Sequence, residues 1–317
     1  MKKLIGAITI LSLLLLLGAC GKAEESGQEG TEEETSDTRT IIDDAGREVE
    51  IPANPKRVVT DWYLGQLLAL GIVPVGAPIH NLDYAEFLKQ HYKEGEIEDI
   101  GDTTQSLEMI LDLDPDVIVT WSEDHAKEYE KIAPTIVVSE TAHETIPDEI
   151  AAMGAFLGRE TEAKAFNQDF EKRITDAKEK IEDAIGEDAT LTIYTLTGKE
   201  VYIVSDNSVN GGRALYTVLG RKPAPKVQEL IDNDQFSSGS YQTSWETIGD
   251  FEGDYIFYIK SEETADDQVT WNNLKAIKNG HAIELPQKYY FASDALSVLH
   301  QAEDMAEKIS ALAKEEK

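Results

Sequence analysis

The chain has 317 residues, 61 acidic and 29 basic, for a formal charge of −32. That acidity excludes a nucleic-acid partner, whose phosphates need clustered Lys and Arg, and disfavours adsorption on an anionic membrane surface. A hydrophobic content of 41% supports a real core in one large or two medium domains, and a single Cys permits neither an intrachain disulfide nor a Cys-rich metal site.

In chain order, Met1-Lys2-Lys3, an apolar run from Leu4 to Leu17, and Gly18-Ala19 have the build of a secretory signal over residues 1–19. The run is too short for a comfortable membrane-spanning helix. Its ending, Leu17-Gly18-Ala19-Cys20, resembles a bacterial lipobox, which implies cleavage before Cys20 and lipid attachment there. Stable anchoring takes more than one acyl chain, and bacterial lipoproteins carry at least two. Residues 21–37 hold seven acids, one Lys and no large apolar side chain, so the segment 20–38 is expected to be a solvated, self-repelling tether.

From Arg39 the composition becomes globular. Thr40–Ile51 predicts a hairpin turning at Asp44–Gly46. Arg57–Thr60 predicts a strand, Trp62–Leu70 a helix stopped by Gly71, and Ile72–Ala77 another strand, an alternation that suggests a parallel sheet. Pro147 marks a helix start, and Ala163, Phe166, Phe170, Ile174, Ala177 and Ile181 recur at three or four residues, predicting a helix over Glu160–Ile185. At 1.5 Å per residue it spans roughly 39 Å, the length of a strut between two lobes. Leu191–Leu196 and Val201–Val204 are expected strands separated by Gly198-Lys199, and a helix from about Ser293 to Lys314 ends the chain. The expected division is a first lobe over 39–146, a connecting helix over 147–186 and a second lobe over 187–317. The fold class is α/β: two β-α-β lobes with mostly parallel sheets joined by a long rigid helix.

Two segments align without a gap, Ser106–Val119 and Ser244–Phe257. Each carries Ser-x-Glu, an Ile two residues after the Glu, an Asp two further on, and Asp-x-Ile before an apolar end. Ser caps a short helix in this pattern, the Glu in its first turn is favoured by the helix dipole, and a buried strand follows. The bland alternative is that Glu108 and Glu246 merely serve their helix starts.

Together these features resemble the substrate-binding lipoproteins of bacterial ABC importers for iron–siderophores, haem and cobalamin, two-lobed proteins with a helical backbone. The resemblance covers roughly residues 39–315. It rests on Asn54-Pro55-Lys56-Arg57-Val58-Val59, Leu68–Gly76 and Ile132–Val138. Ala184–Thr190, Gly211-Gly212 with Leu215-Tyr216, Trp271–Ala276 and Gly280-His281 bring it nearest to the ferric-hydroxamate binders of Gram-positive bacteria. The resemblance implies a monomer, lipid-anchored on the extracellular face of the cell membrane. It would deliver a ferric siderophore to an iron-siderophore permease and its ATPase. An acid from each lobe pairs with permease arginines in that family, which places Glu108 and Glu246 at the docking face.

Ligands of such sheets bind beyond the carboxyl ends of the strands, where flat rings wall a chelate. The candidates are Trp62, Tyr63, Trp121, Tyr202 and the run Tyr289-Tyr290-Phe291, with Tyr290 foremost, while Trp245 and Trp271 are assigned to structure. Near hydroxamate binders carry a Trp and an Arg before the Gly-Gly pair; here Ser208 and Asn210 stand there and Arg213 follows, so Asn210 and Arg213 complete the set. With seven Arg in the whole chain, a neutral or cationic hydroxamate chelate suits it better than a trianionic catecholate. Lys199, Lys222 and Lys226 keep citrate-based chelates in view, and haem remains a third option. Iron is expected to be held by the siderophore with no protein ligand and no cofactor. The six His show no i,i+4 pair that would mark a protein-bound metal. A cell-surface hydrolase is the competing class. The chain lacks Gly-x-Ser-x-Gly, a Walker loop and His-Glu-x-x-His, and among its many carboxylates nothing marks out a glycosidase-like pair.

Overall fold

The computed structural model describes residues 38–79, 83–101, 105–261 and 269–315. The signal segment, Cys20 and all of the tether but Thr38 lie outside them. The described residues belong to one compact unit, and no helix among them is long and apolar enough to cross a membrane.

Strands β1 (Thr38–Ile42) and β2 (Glu48–Pro52) form an antiparallel hairpin with Ile42 opposite Glu48. Its turn is held by the buried Asp43 carboxylate, which accepts from the backbone N–H of Ala45 (3.1 Å) and Arg47 (3.0 Å), and Gly46 supplies φ 74°. The first lobe then runs β3 (Val58–Thr60), α1 (Leu64–Ala69), β4 (Gly76–Ala77), β5 (Glu98–Asp99), α2 (Leu107–Asp112), β6 (Val117–Thr120), α3 (Glu123–Tyr129) and β7 (Thr135–Val137). The five strands from β3 to β7 are parallel, in the order β5–β4–β3–β6–β7. Every residue of β3, β6 and β7 is buried, as β-branched runs covered on both faces require.

Thr145 caps α4 (Ile146–Leu157) with Pro147 in the first turn, and Gly158 ends it in the left-handed region at φ 67°. Helix α5 (Glu160–Ile185) follows over the predicted span and buries Ala163, Phe170, Ile174, Ala177 and Ile181. The second lobe comprises β8 (Thr190–Thr197), β9 (Glu200–Val204), β10 (Lys222–Pro223), α6 (Pro225–Asp232), β11 (Ser240–Thr243), β12 (Tyr255–Lys260), α7 (Val269–Asn273), α8 (Lys275–Lys278), β13 (Ala282–Glu284), α9 (Gln287–Tyr290) and α10 (Ala295–Glu315). Its sheet is mixed, ordered β11–β9–β8–β12–β13, with β10 beside the start of β8. The two-residue turn Gly198-Lys199 makes β9 antiparallel to β8, and β11 is antiparallel to β9 in turn. One continuous apolar core runs from β3 and β6 through α4, α5 and α10 to β8 and β12.

The two Ser-x-Glu segments differ locally. Ser106 caps α2 as expected, its Oγ accepting from Met109 N–H at 3.3 Å. After Ser244 there is instead a turn, and only Ile248–Phe251 coils, as a single 3-10 turn. Thr247 Oγ1 accepts from Ser244 N–H at 3.3 Å, a local bond that competes with helix start, and Gly249 adds backbone entropy.

Gly212 permits a tight return of the chain after β9: a Cβ there would stand 2.0 Å from the Ser205 carbonyl oxygen. Gly212→Ala is therefore expected to destabilise the fold by about 1–3 kcal/mol, read as a lower denaturant midpoint; an unchanged midpoint would show that this backbone yields freely.

Candidate functional site

A cavity of about 360 Å³ opens between the lobes. The first lobe lines it with Trp62–Gln66 after β3 and with Glu140, Thr141, His143 and Glu144 after β7, and α4 adds Glu149. The second lobe contributes Asn207, Val209 and Arg213 after β9, and Phe291–Asp294 before α10. On the first-lobe side the wall thus forms beyond the carboxyl ends of parallel strands, where backbone is free to face a ligand.

The aromatic rim is held by polar anchors. Thr60 Oγ1 accepts from the N–H of Trp62 (3.2 Å) and Tyr63 (2.9 Å), turning the chain sharply out of β3. Trp62 stays 50% exposed while its Nε1 donates to Glu140 at 2.8 Å. Trp121 is likewise half exposed, its ring 6.5 Å from that of Trp62. Between them the buried Asp61 Oδ2 accepts from Thr120 Oγ1 (2.7 Å) and meets His125 Nδ1 (2.8 Å), and the Trp121 ring lies edge to face with that imidazole.

The loop after β7, which bears Glu140, is positioned by the N-terminal hairpin. Asp44 Oδ2 accepts from Ser139 N–H and pairs with His143 Nε2, both at 2.9 Å, while Asp43 Oδ2 accepts from Val137 N–H at 3.0 Å. Two carboxylates in one turn therefore shape the loop that carries Glu140 and Glu144.

The floor is charged. Gln66 Nε2 donates to Glu149 Oε1 at 2.7 Å; Arg213 donates to Glu149 Oε2 at 3.4 Å and to the Ser293 carbonyl at 3.0 Å. This ion pair ties α4 to the second lobe. Arg213 opens a π-helical stretch, Arg213–Val218, an irregularity that often accompanies function. Asp294 Oδ1 accepts from Leu296 and Ser297 N–H at 3.1 and 3.0 Å, and burial raises its carboxyl above the usual range. Gly65 is needed beside it, since a Cβ there would lie 1.8 Å from Asp294 Oδ1. Among the described residues four carboxylates line the cavity (Glu140, Glu144, Glu149 and Asp294) against one guanidinium. Burial, then the charges of Glu140 and Glu149, push the Tyr63 phenol well above its ordinary value.

Of the residues singled out by sequence, Trp62, Tyr63 and Arg213 line the cavity and Trp121 adjoins it. Tyr63 is buried, its hydroxyl donating to the Val138 carbonyl at 2.7 Å, so it forms wall rather than hydrogen-bonding surface. Three others do not line the cavity. Tyr202 sits on β9 with its hydroxyl on Glu200 at 2.7 Å, away from the cavity. Tyr290 is fully buried and donates to Asp304; the half-exposed Phe291 beside it faces the cavity instead. Asn210 occupies a left-handed turn position, φ 61°, while Asn207 and Val209 reach the wall. Gln66 and Glu149 went unnoticed. Their signals were faint: one polar residue inside the run Leu64–Leu70, and an acid on the buried face shared by Ile146, Ile150 and Met153.

Glu108 and Glu246 are both exposed. The Ser244 hydroxyl and its own backbone N–H hold the Glu246 carboxyl below its usual range. Leu107 and Leu111 flank Glu108, 40% and 59% exposed. Among the described residues no three His, Cys, Asp or Glu converge as metal ligands.

Comparison with known proteins agrees with this architecture. The family profile described as Periplasmic binding protein matches residues 58–289. The chain is 34% identical to the iron(3+)-hydroxamate-binding protein FhuD of Bacillus subtilis over 98% of each chain, and 33% identical to the iron(3+)-hydroxamate-binding protein YxeB of that organism over 100% of each. The structure of FhuD2 from Staphylococcus aureus with bound ferrioxamine B superposes with a TM-score of 0.69 at 29% identity, covering 82% of this chain and 100% of that one. With a profile spanning most of its length and relatives matched from end to end, the chain belongs to the periplasmic binding protein family.

Proposed function

We propose that the chain is the solute-binding lipoprotein of an ABC importer. It is anchored through Cys20, captures a ferric hydroxamate siderophore between its lobes and hands it to a membrane permease. The observation that carries this reading is the wall of the cavity. Half-exposed Trp62 and Phe291 offer flat apolar surface to a chelate's methylenes, and a single Arg is set among four acids. A trianionic catecholate or a citrate chelate would meet net repulsion there, whereas a neutral or cationic hydroxamate does not. The relatives named for iron(3+)-hydroxamate binding support the same ligand class. The chain does no chemistry of its own, and iron stays within the siderophore. Exposed Glu108 and Glu246 serve as the docking acids, one from each lobe.

Titration with ferric siderophores tests the reading. Ferrioxamine or ferrichrome is expected to quench tryptophan fluorescence at micromolar concentration, and Trp62→Ala to weaken binding by about tenfold or more, as for an aromatic anchor at an interface. Silence toward hydroxamate, citrate and catecholate chelates, haem and cobalamin alike would overturn it.

A further inference from the structure

Two histidines 209 residues apart in sequence meet beside the cavity, and neither lines it. His91 follows the 3-10 helix Glu86–Gln90 of the first lobe, which contributes Leu88 to the cavity wall. His300 stands on α10, whose start adjoins Asp294 of the same wall. The Phe87 ring lies 4.8 Å from that of Tyr289, and His300 stacks on Phe87 at 5.2 Å, which holds the imidazole in place. His91 Nε2 is 3.5 Å from His300 Nε2, and the ring centroids are 5.8 Å apart, so both nitrogens stand between the rings. That separation is long for a hydrogen bond from N–H. It is close to the spacing of two imidazole nitrogens on one tetrahedral ion, about 3.3–3.4 Å for metal–nitrogen bonds of about 2.0–2.1 Å. A tilt of each ring brings the two lone pairs onto a shared ion.

The surroundings set the form of His300 that a metal needs. Gln90 Nε2 donates to the Phe87 carbonyl at 3.0 Å, which orients the amide, and the same nitrogen lies 3.1 Å from His300 Nε2. His300 Nε2 is therefore the acceptor, and its proton sits on Nδ1, which faces Glu303 Oε2 at 3.7 Å. Glu303 is itself gripped by Arg173, through Nε at 2.7 Å and a second guanidinium nitrogen. A carboxylate behind the far nitrogen of a ligating imidazole is the usual outer partner of a metal site. Charge does not oppose a cation here, because Arg173 is paired with both Glu303 and Asp169 and the chain as a whole carries −32. Both imidazoles keep partial exposure, so an ion can enter from solvent.

We propose that His91 and His300 form a binding site for a late first-row divalent cation, Zn²⁺, Cu²⁺ or Ni²⁺, which staples the 3-10 helix of the first lobe to α10. Water completes the coordination sphere. Imidazole ligands select these ions over Mg²⁺ and Ca²⁺, which prefer carboxylate and carbonyl oxygen. The site does not depend on the siderophore reading of the cavity, and its ion is distinct from the iron cargo.

Thermal unfolding of the intact, untagged chain without siderophore tests the site, with Zn²⁺ as the probe. An ion that binds only the folded chain raises its midpoint in proportion to the logarithm of concentration, here by about 2 °C or more once Zn²⁺ is well above its dissociation constant. Mg²⁺ at the same concentrations controls for ions gathered by the acidic surface and is expected to leave the midpoint nearly unmoved. His91→Gln and His300→Gln should each abolish the Zn²⁺ shift. Nitrogen NMR of the imidazoles gives a reading on the unmodified chain that no folding defect can mimic. Zn²⁺ is expected to move the Nε2 resonances of two histidines among the six and leave the other four in place. No midpoint shift with Zn²⁺, an equal shift with Mg²⁺, a shift retained in His91→Gln, or resonances moved at histidines other than His91 and His300 would overturn the proposal.

Discussion

Cells carrying Glu108→Ala together with Glu246→Ala are expected to lose uptake of the ferric ligand, while the purified variant keeps its affinity to within about twofold. The expectation follows from where the two carboxylates stand. Both are exposed and neither lines the cavity, so ligand binding does not depend on them. Glu246 keeps its charge readily because the Ser244 hydroxyl and a backbone N–H stabilise the ionised form. Glu108 lies in the first turn of α2 between exposed Leu107 and Leu111, a charged centre with an apolar surround. If each acid meets an arginine of the permease, removing it strands a desolvated cation and costs about 2–5 kcal/mol. Two such losses exceed what a transient complex can absorb. Transport of labelled siderophore into cells, beside a titration of the isolated protein, separates the outcomes. Unimpaired uptake, or affinity lost with uptake, would contradict the docking assignment.

Arg213→Met is expected to damage both stability and binding. Glu149 is held on α4 with little access to water, and Arg213 is the cation that meets it from the second lobe. Without the guanidinium the carboxylate keeps the Gln66 amide as a donor, and breaking such a pair is expected to cost about 2–4 kcal/mol. The double variant Arg213→Met with Glu149→Met should recover most of that loss, because the buried charge goes with its partner. Ligand affinity should not recover, since Arg213 is the single Arg or Lys lining the cavity among the described residues. Denaturant midpoints of the two single variants and the double variant measure the coupling. A double variant no more stable than Arg213→Met would show that the pair is not what holds Glu149.

Much of the architecture was legible in the sequence, for reasons that differ by element. Helix α5 was read to its ends because one long apolar stripe at helical spacing has no competing interpretation and Gly186 stops it. The hairpin was legible through Asp44–Gly46, and the terminal helix, expected from about Ser293 to Lys314, runs over Ala295–Glu315. The second Ser-x-Glu segment shows the limit. It shares the Ser, Glu, Ile and Asp positions of the first, yet Thr247 and Gly249, where the first has Met109 and Leu111, tilt a marginal helix into a turn. The cavity was half legible. Aromatics after strand ends pointed to Trp62 and to the run containing Phe291, but which of Tyr289, Tyr290 and Phe291 faces inward depends on how α9 meets α10, and spacing does not encode that. Tyr202 lies inside β9, which pairs on both edges, and it is not among the residues that line the cavity. Gln66 and Glu149 were hidden because a lone polar residue on an apolar face has no partner visible in sequence. Theirs are 83 residues apart.

The central claim is that this cavity holds an iron chelate without touching the iron. A crystal structure of the protein grown with a ferric trihydroxamate tests it most directly. The expected result is a chelate resting on Trp62 and Phe291, within reach of Arg213, with iron bound by hydroxamate oxygens alone. A chelate seated elsewhere, or a protein atom in the iron's coordination sphere, would contradict the account.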